Sequence, residues 1–422
     1  MEFKAVRGTK DILPDTVKVW QYIEGKAKKI LECYGYQEIR TPIFEETNLF
    51  VRGIGETTDI VSKEMYTFLD KKGRSLTLRP EGTAPVVRAY IEHRLDTRGS
   101  PIRLYYFGPM FRYERPQAGR QRQFWQLGIE VLGTSHPSID AEVIDMTMYL
   151  LQELGLNELE VQINSVGCGV CRPRYKEALI RYLSPFFKDL CKSCKEKLSR
   201  NPMRILDCKV CFDLKISSPV MIEFLCDRCK DHFEGVKEYL DMLEVTFILK
   251  PHLVRGLDYY TNTCFEIIDK NLGAQDAVCA GGRYDGLVEE FGGKPTPAFG
   301  ASAGIERIIV ALEKQGVDVP SSTKVDVYFA TIGSRVKKKV FSLVKDLRKK
   351  DISTIFEWND KSLKASLREA NRLRSRFVVI IGDTELNRNQ AILKDMETGE
   401  QKEISLSGLV NVISNLLRRG CK

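Results

Sequence analysis

A chain of 422 residues, 43% of them hydrophobic, has enough apolar material for a full core and for two or three domains. It holds no apolar run of membrane-spanning length, and its opening, MEFKAVRGTKDILPD, lacks the charged-then-apolar layout of a secretory signal, so a soluble cytoplasmic protein is expected and membrane classes are set aside. The net charge of +8 sits almost wholly in residues 323–422, which carry 21 Lys and Arg against 12 Asp and Glu, a pattern that fits a polyanionic partner such as RNA or a solubilising surface.

In chain order, Val17, Trp20, Ile23, Ala27, Ile30 and Leu31 recur at helical spacing and predict a helix over 17–34, entered at Thr16 and stopped by Gly35. The segment YQEIRTPIF (36–44) precedes a polar stretch with Gly53 and Gly55, the short segments MYTFLD and SLTLRPEG, and a helix from about Ala84 to His93. Between Ile102 and Leu132 two strands are expected, joined by a polar loop that carries Arg115, Gln117, Arg120, Gln121 and Arg122 with no carboxylate after Glu114. Residues 139–155 read as a helix capped by Gly155. Residues 167–239 are rich in Cys and Lys, helical where they are periodic, and read as an insertion. Beyond it LEVTFILK, CFEIIDK and QDAVCAGG are strand-like and SAGIERIIVALEKQG is helical.

From Val325 the pattern resets: VDVYFATIG, a helix over 334–350, ISTIFEW, a helix over 361–375, FVVIIG, AILKDMETGEQKEISL and a closing helix. Alternating strands and helices predict a small α/β domain with a mostly parallel sheet. The hairpin-like strand pairs before it predict an α+β body with an antiparallel sheet. The expected domains are therefore 1–322, with the insertion at 167–239 inside it, and 323–422.

Eight of the 12 cysteines form Cys-x-x-Cys pairs inside the insertion: Cys168/Cys171, Cys191/Cys194, Cys208/Cys211 and Cys226/Cys229. Each pair offers two thiolates to one tetrahedral ion, so two structural zinc sites are one reading; reduced buried cysteines and disulfides are the others. The spacing leaves open which pairs share an ion.

Only four histidines occur, with no His-Glu-x-x-His, no Gly-x-Ser-x-Gly and no Gly-x₄-Gly-Lys-Ser/Thr, which excludes zinc protease, serine hydrolase and P-loop readings. What remains is a series of charged residues in strand-like or strand-edge segments: Arg79 and Glu81, Arg112 and Glu114, Gln126 and Glu130, Arg255 in LVRGLDYY, Arg283 and Tyr284, and Arg307. Any one of these fits an interior ion pair. Several arginines aimed into one cavity demand an anion, because an unpaired buried guanidinium costs several kcal/mol, and phosphate matches their bidentate geometry.

These segments resemble class II aminoacyl-tRNA synthetases, and within them the histidyl branch. YQEIRTPIF, FRYE with FWQLGIE, and PAFGASAGIERI are similar to the family's three motifs, and LVRGLDYYTNTCFE and AGGRYDGL mark the histidyl branch; RGTKDILP also matches. The resemblance implies a class II catalytic domain followed by an anticodon-binding domain, a homodimer joined through the catalytic domain, ATP with Mg2+ and L-histidine as substrates, and tRNA(His) as acceptor. It implies that Arg255 and Arg112 act on the α-phosphate, Arg255 also on the amino acid carboxylate, and Arg307 on the outer phosphates, with Glu114 and Phe124 near adenine. The ammonium of histidine falls to Glu81, Thr83 and Gln126. A neutral imidazole presents one donor and one acceptor, which Glu130 and Tyr260 match, with Tyr259 and Tyr284 as wall or second partner. Arg115, Arg120 and Arg122 are implied to face the tRNA acceptor end, and Lys337 to Lys339 with Arg372, Arg374 and Arg376 are candidates for phosphate contact. A histidine-binding regulatory paralogue without aminoacylation is the rival; such proteins tend to lose features that this chain keeps.

Overall fold

The computed structural model describes residues 3–116, 119–208, 210–211, 217–273, 276–319, 325–359 and 361–419, so Gln117 lies outside the described residues. The chain divides into two units, Met1–Val319 and Pro320–Lys422. The first helix is Pro14–Cys33, three residues longer at its start than the periodicity predicts. Proline at the first helical position has no N–H to leave unpaired, and Thr16 does not cap: its hydroxyl turns back to the Leu13 carbonyl at 3.0 Å. Trp20, Ile23, Ala27, Ile30 and Leu31 form its buried stripe.

The strands of the first unit are β1 (Gln37–Glu38), β2 (Phe44–Glu46), β3 (Tyr66–Leu69), β4 (Ser75–Leu78), β5 (Ile102–Phe111), β6 (Gln123–Leu132), β7 (Leu159–Ser165), β8 (Phe247–Leu249), β9 (Thr261–Asp269), β10 (Ala277–Arg283) and β11 (Ala298–Gly304). Eight of them form one sheet in the order β1-β5-β6-β11-β10-β9-β7-β8, and β2-β4-β3 form a small second sheet. Pairing from β5 through β7 is antiparallel, and only the edges, β1 on β5 and β8 on β7, are parallel. The predicted antiparallel sheet is therefore present. SAGIERIIVALEKQG divides differently from the prediction: Ser302 and Gly304 still pair with Gly128 and Gln126 on β6, and the helix begins at Ile305. Of LEVTFILK only Phe247–Leu249 is strand, and LVRGLDYY is a loop leading into β9.

Strand alternation decides which side chains reach which face. On β6, Leu127, Ile129 and Val131 point into the main core with the helices Pro14–Cys33 and Pro137–Glu153. Gln126 and Glu130 point the other way. On β9, Phe265 and Ile267 join the main core while Cys264 belongs to a second cluster with Tyr106, Tyr259, Tyr260 and Tyr284 on the opposite face. The insertion has a core of its own, built on Tyr175, Leu179, Leu198 and Ile205 around its cysteines.

The second unit holds β12 (Val327–Thr331), β13 (Thr354–Phe356), β14 (Phe377–Ile381), β15 (Gln390–Asp395) and β16 (Gln401–Ser405) in the order β13-β12-β14-β15-β16. The first three strands are parallel, and AILKDMETGEQKEISL forms an antiparallel hairpin on the edge, so the sheet is mixed rather than mostly parallel. Helices cover both faces, which is why VYFA and FVVII read as continuous apolar runs.

Candidate active site

A cavity of about 320 Å³ opens on the sheet face away from the main core, a volume suited to small-molecule ligands. Its floor comes from β6, β9, β10 and β11, and small residues at Ala280, Gly300, Ser302 and Gly304 leave it room. A Cβ at Gly300 would lie 2.0 Å from Glu130 Oε2, so that carboxylate occupies space a side chain would otherwise fill.

At one end two buried carboxylates are held by hydroxyls and helix amides. Glu81 accepts the backbone N–H groups of Thr83 and Ala84 at 2.7 and 2.8 Å, at the start of the helix Thr83–Glu92. Glu130 accepts from the Thr83 hydroxyl at 2.7 Å and the Tyr284 hydroxyl at 2.5 Å. Tyr259 donates to Glu81 at 3.5 Å and packs its ring 4.8 Å from Tyr260 and 5.8 Å from Tyr284, centroid to centroid. Burial pushes the Glu130 carboxyl up to about 8 against these donors, with Glu81 adding to the rise, and burial raises Glu81 as well. Gln126 Oε1 is buried with no hydrogen-bond donor among the described residues. Two crowded carboxylates and an unanswered acceptor suit a ligand that brings a cation.

Arginines line the same cavity. Arg112 donates to the Pro80 carbonyl at 2.8 Å, sits 5.3 Å from the Phe124 ring centroid, and lies 3.9 Å from Glu114. Arg307 donates to the Ala277 carbonyl at 2.6 Å. Its pKa is lowered by burial and then by Arg120 and Arg112, with Glu114 and Glu266 opposing the fall. Arg255 is paired with Glu266 of β9, and its Nε is buried without an acceptor. Arg120 pairs with Glu114 at 2.9 Å inside this cavity, Arg115 is exposed, and Arg122 lies 3.8 Å over the Tyr113 ring.

Two arginines of the predicted series do not reach the cavity. Arg79 donates to the Pro109 and Thr41 carbonyls at 2.9 and 3.1 Å, which ties β4 to β5 and the segment before β2. Arg283 is fully buried against Asp140 at 2.7 Å and Asp285 at 3.1 Å. Both are interior anchors. Conversely, Tyr106, Glu266, Ser302 and Glu306 line the cavity and were not singled out. Alternation from Cys264 gave a signal for Glu266. In the second unit Arg376 is held by Asp395 at 2.9 Å and Arg372 by Glu369 at 2.6 Å, whereas Lys339 lines an open groove with Lys349 and Lys350.

The cysteine pairing left open by the spacing is resolved. Cys168, Cys171, Cys226 and Cys229 converge, and so do Cys191, Cys194, Cys208 and Cys211, each set with its sulfurs within 4.8 Å of one another. Sulfur separations of 3.6 Å (Cys168 to Cys171), 3.5 Å (Cys226 to Cys229), 4.0 Å (Cys168 to Cys226) and 3.9 Å (Cys191 to Cys208) are too long for disulfides. Both clusters could hold a metal ion. A zinc tetrahedron with bonds of about 2.3 Å has sulfur edges of about 3.8 Å.

Residues 8–169 and 225–308 match the family model for histidyl-tRNA synthetase, and residues 326–416 match that for an anticodon binding domain. The chain is 52% identical over 419 residues to the histidine–tRNA ligase of Halothermothrix orenii, covering 99% of this chain and 100% of the relative. It is 51% identical over 406 residues to that of Desulforamulus reducens, covering 96% and 97%. Among solved structures it is similar to apo histidyl-tRNA synthetase of S. aureus, with a TM-score of 0.84, 40% identity, and coverage of 98% of this chain and 100% of that one.

Proposed function

The chain belongs to the histidyl-tRNA synthetase family, and from that premise we propose how its cavity activates L-histidine with Mg-ATP and transfers it to the 3′ end of tRNA(His). The observation that carries the reading is the division of one cavity: the Glu81 carboxyl and the unanswered Gln126 acceptor, backed by Glu130 behind Thr83 and Tyr284, beside a set of arginines. An amino acid ammonium suits the first group and ATP phosphates the second.

In the first step a histidine carboxylate oxygen attacks the α-phosphorus, the bond to the bridging oxygen breaks, and pyrophosphate leaves. Arg255 and Arg112 are assigned to the α-phosphate oxygens, Arg255 also to the histidine carboxylate, and Arg307 to the outer phosphates. Fixed guanidiniums stay charged and are already desolvated, so they stabilise charge as it develops. Phe124 and Glu114 are assigned to adenine. Glu81, Thr83 and Gln126 are assigned to the ammonium, and Glu130, Tyr259, Tyr260 and Tyr284 to the imidazole end, where Glu130 acts with Thr83 and Tyr284 as one hydrogen-bonded unit. In the second step the terminal ribose hydroxyl attacks the histidyl carbonyl and AMP leaves. Catalysis rests on positioning and electrostatics.

An anticodon-binding domain implies tRNA binding. Arg115, Arg120 and Arg122 are proposed to meet the acceptor end, with Arg115 the exposed member. The expected catalytic domain 1–322, its insertion 167–239 and the anticodon-binding domain 323–422 remain the working division. A second copy is proposed to cover β1 and the small sheet, where Ile43, Phe44, Phe68 and Leu69 are 45%, 51%, 44% and 70% exposed. Among the described residues no helix is long and apolar enough to cross a membrane, and cytoplasmic action is the proposal. Zinc fits both cysteine clusters, where four thiolates leave no open position for chemistry and assign it a structural role.

The test is histidine-dependent ATP–pyrophosphate exchange beside proline, threonine and glycine. Exchange with histidine alone is expected, and Arg255→His should lower it by at least roughly 100-fold, the scale of one lost transition-state contact. Exchange with another amino acid, or an unimpaired variant, would overturn the assignment.

A further inference from the structure

The two cysteine clusters are nested. The outer one, Cys168, Cys171, Cys226 and Cys229, joins the point where the chain leaves the sheet after β7 to the start of the helix Asp227–Met242. The inner one, Cys191, Cys194, Cys208 and Cys211, joins the first turn of the helix Lys192–Arg200 to the segment eight residues beyond it. Backbone amides already answer sulfur lone pairs in both: Cys226 N–H donates to Cys171 Sγ at 3.1 Å and Cys191 N–H to Cys211 Sγ at 3.3 Å. Such contacts support thiolate ligands.

Between the paired halves of the inner cluster lie Asn201 and Arg204, and both reach out of the insertion onto one carboxylate. Asp258 Oδ1 accepts from Asn201 Nδ2 at 3.0 Å and from Arg204 Nη2 and Nε at 2.8 and 3.2 Å. The third Arg204 nitrogen, Nη1, donates to the backbone carbonyl of Arg255 at 3.1 Å. One guanidinium therefore bridges the two ends of the turn Arg255-Gly256-Leu257-Asp258. From the other side Thr57 donates to Asp258 Oδ2 at 3.3 Å, and the Asp258 amide donates to Ile54 O at 3.0 Å. The loop that carries Arg255 has no strand pairing of its own; its shape is set from outside.

We propose that Arg204 is a positioning residue for Arg255, and that metal in the inner cysteine cluster fixes Arg204, so that the insertion holds the activating arginine at its working place. The proposal rests on the reading of the cavity as the histidine-activating site. The side chain of Arg204 is 10% exposed, and a guanidinium with its nitrogens answered on one turn resists small displacements of that turn. Displacements near 1 Å in a catalytic group can lower a rate by up to roughly 100-fold.

The experiment uses full-length, untagged protein. Metal analysis of the parent is expected to return zinc at two per chain, the number of clusters. Arg204→Gln should lower kcat/KM for histidine in pyrophosphate exchange by roughly 10- to 100-fold while the KM for ATP and the zinc content stay at parent values. Arg204→Lys should recover part of the loss. Cys208→Ser, which opens the inner cluster, should show the same kinetic pattern as Arg204→Gln. Parent-like kinetics in Arg204→Gln would overturn the positioning role. Fully active parent without zinc would overturn the metal link and leave Arg204 to its own variants. Should Arg204→Gln fail to fold, Asp258→Asn takes its place, with the same pattern expected and parent-like kinetics overturning the role. A parent with no histidine-dependent exchange would instead defeat the reading on which the proposal rests.

Discussion

At the scale of single residues, two buried carboxyls of the candidate site are held away from their ordinary protonation by burial. Glu130 is buried behind Thr83 and Tyr284 and its pKa is pushed up to about 8, above the carboxylate value of 4.5 that an unfolded chain would show. The neutral form is thus favoured by folding. Its stabilising share is complete below about pH 4.5 and is lost as pH rises through about 8. Glutamine keeps the shape and never ionises. The Tm of Glu130→Gln, relative to the parent, is therefore expected to improve steadily between pH 5 and pH 8.5 in the absence of substrates. A difference that stays flat across that window would mean the carboxylate is already ionised in the folded protein. The same sequence that displays Glu130 in an alternating strand gave no way to separate Arg79 and Arg283 from the cavity arginines. Arg283 finds Asp140 across 143 positions of sequence, and such a partner becomes visible only once the fold brings the two together.

At the scale of elements, β5 and β6 were legible as two largely apolar runs joined by a polar loop, although β6 is buried on both faces from Leu127 to Leu132, and helices were legible where an apolar stripe recurred, as in Pro14–Cys33. LVRGLDYY lacks the alternation of a strand because it is a loop at the edge of β9, whose path is fixed by Asp258 and Arg204 and not by neighbouring strands. The junction of β11 and the helix Ile305–Lys314 was blurred for a related reason: Ser302 and Gly304 are small enough to serve either element, and pairing to β6 decides. Smallness also matters between β6 and the segment before the helix Thr83–Glu92. The Tyr106 ring is seated so closely that a Cβ at Gly128 would come within 1.9 Å of Tyr106 Cζ, and one at Gly82 within 2.2 Å. Gly128→Ala is expected to destabilise the first unit by about 1–3 kcal/mol, since a buried ring flanked by backbone has nowhere to move. Urea or thermal unfolding measures this, and a parent-like midpoint would show that the ring has freedom the packing denies.

At the scale of the whole molecule the sequence placed the basic excess in the last quarter, and that quarter matches an anticodon binding domain with a core of its own. Every residue assigned to histidine activation lies in the first unit. Deletion of 325–422 is accordingly expected to spare histidine-dependent pyrophosphate exchange and to lower tRNA charging by roughly two orders of magnitude, the gain that a tethered second contact supplies. The two assays run on the same truncated protein check it. Charging at the parent rate would remove the second unit from tRNA recognition.

The strand order of the large sheet carries a further consequence, for how the protein is made. β9, β10 and β11 occupy the middle of the sheet, between β6 and β7, yet they are the last of its strands in the chain. As the polypeptide leaves the ribosome, β5–β6 and β7 appear early with their inner edges unpaired; β7 waits for β9, complete at residue 269, and β6 waits for β11, complete at residue 304. Completion requires contacts far apart in sequence, the slow kind, and a nascent or prematurely ended chain presents two open edges to other chains. Arg255 and the start of the helix bearing Arg307 flank those last strands. A chain that ends before residue 304 therefore lacks part of the cavity floor, and the edges close only as that floor is completed.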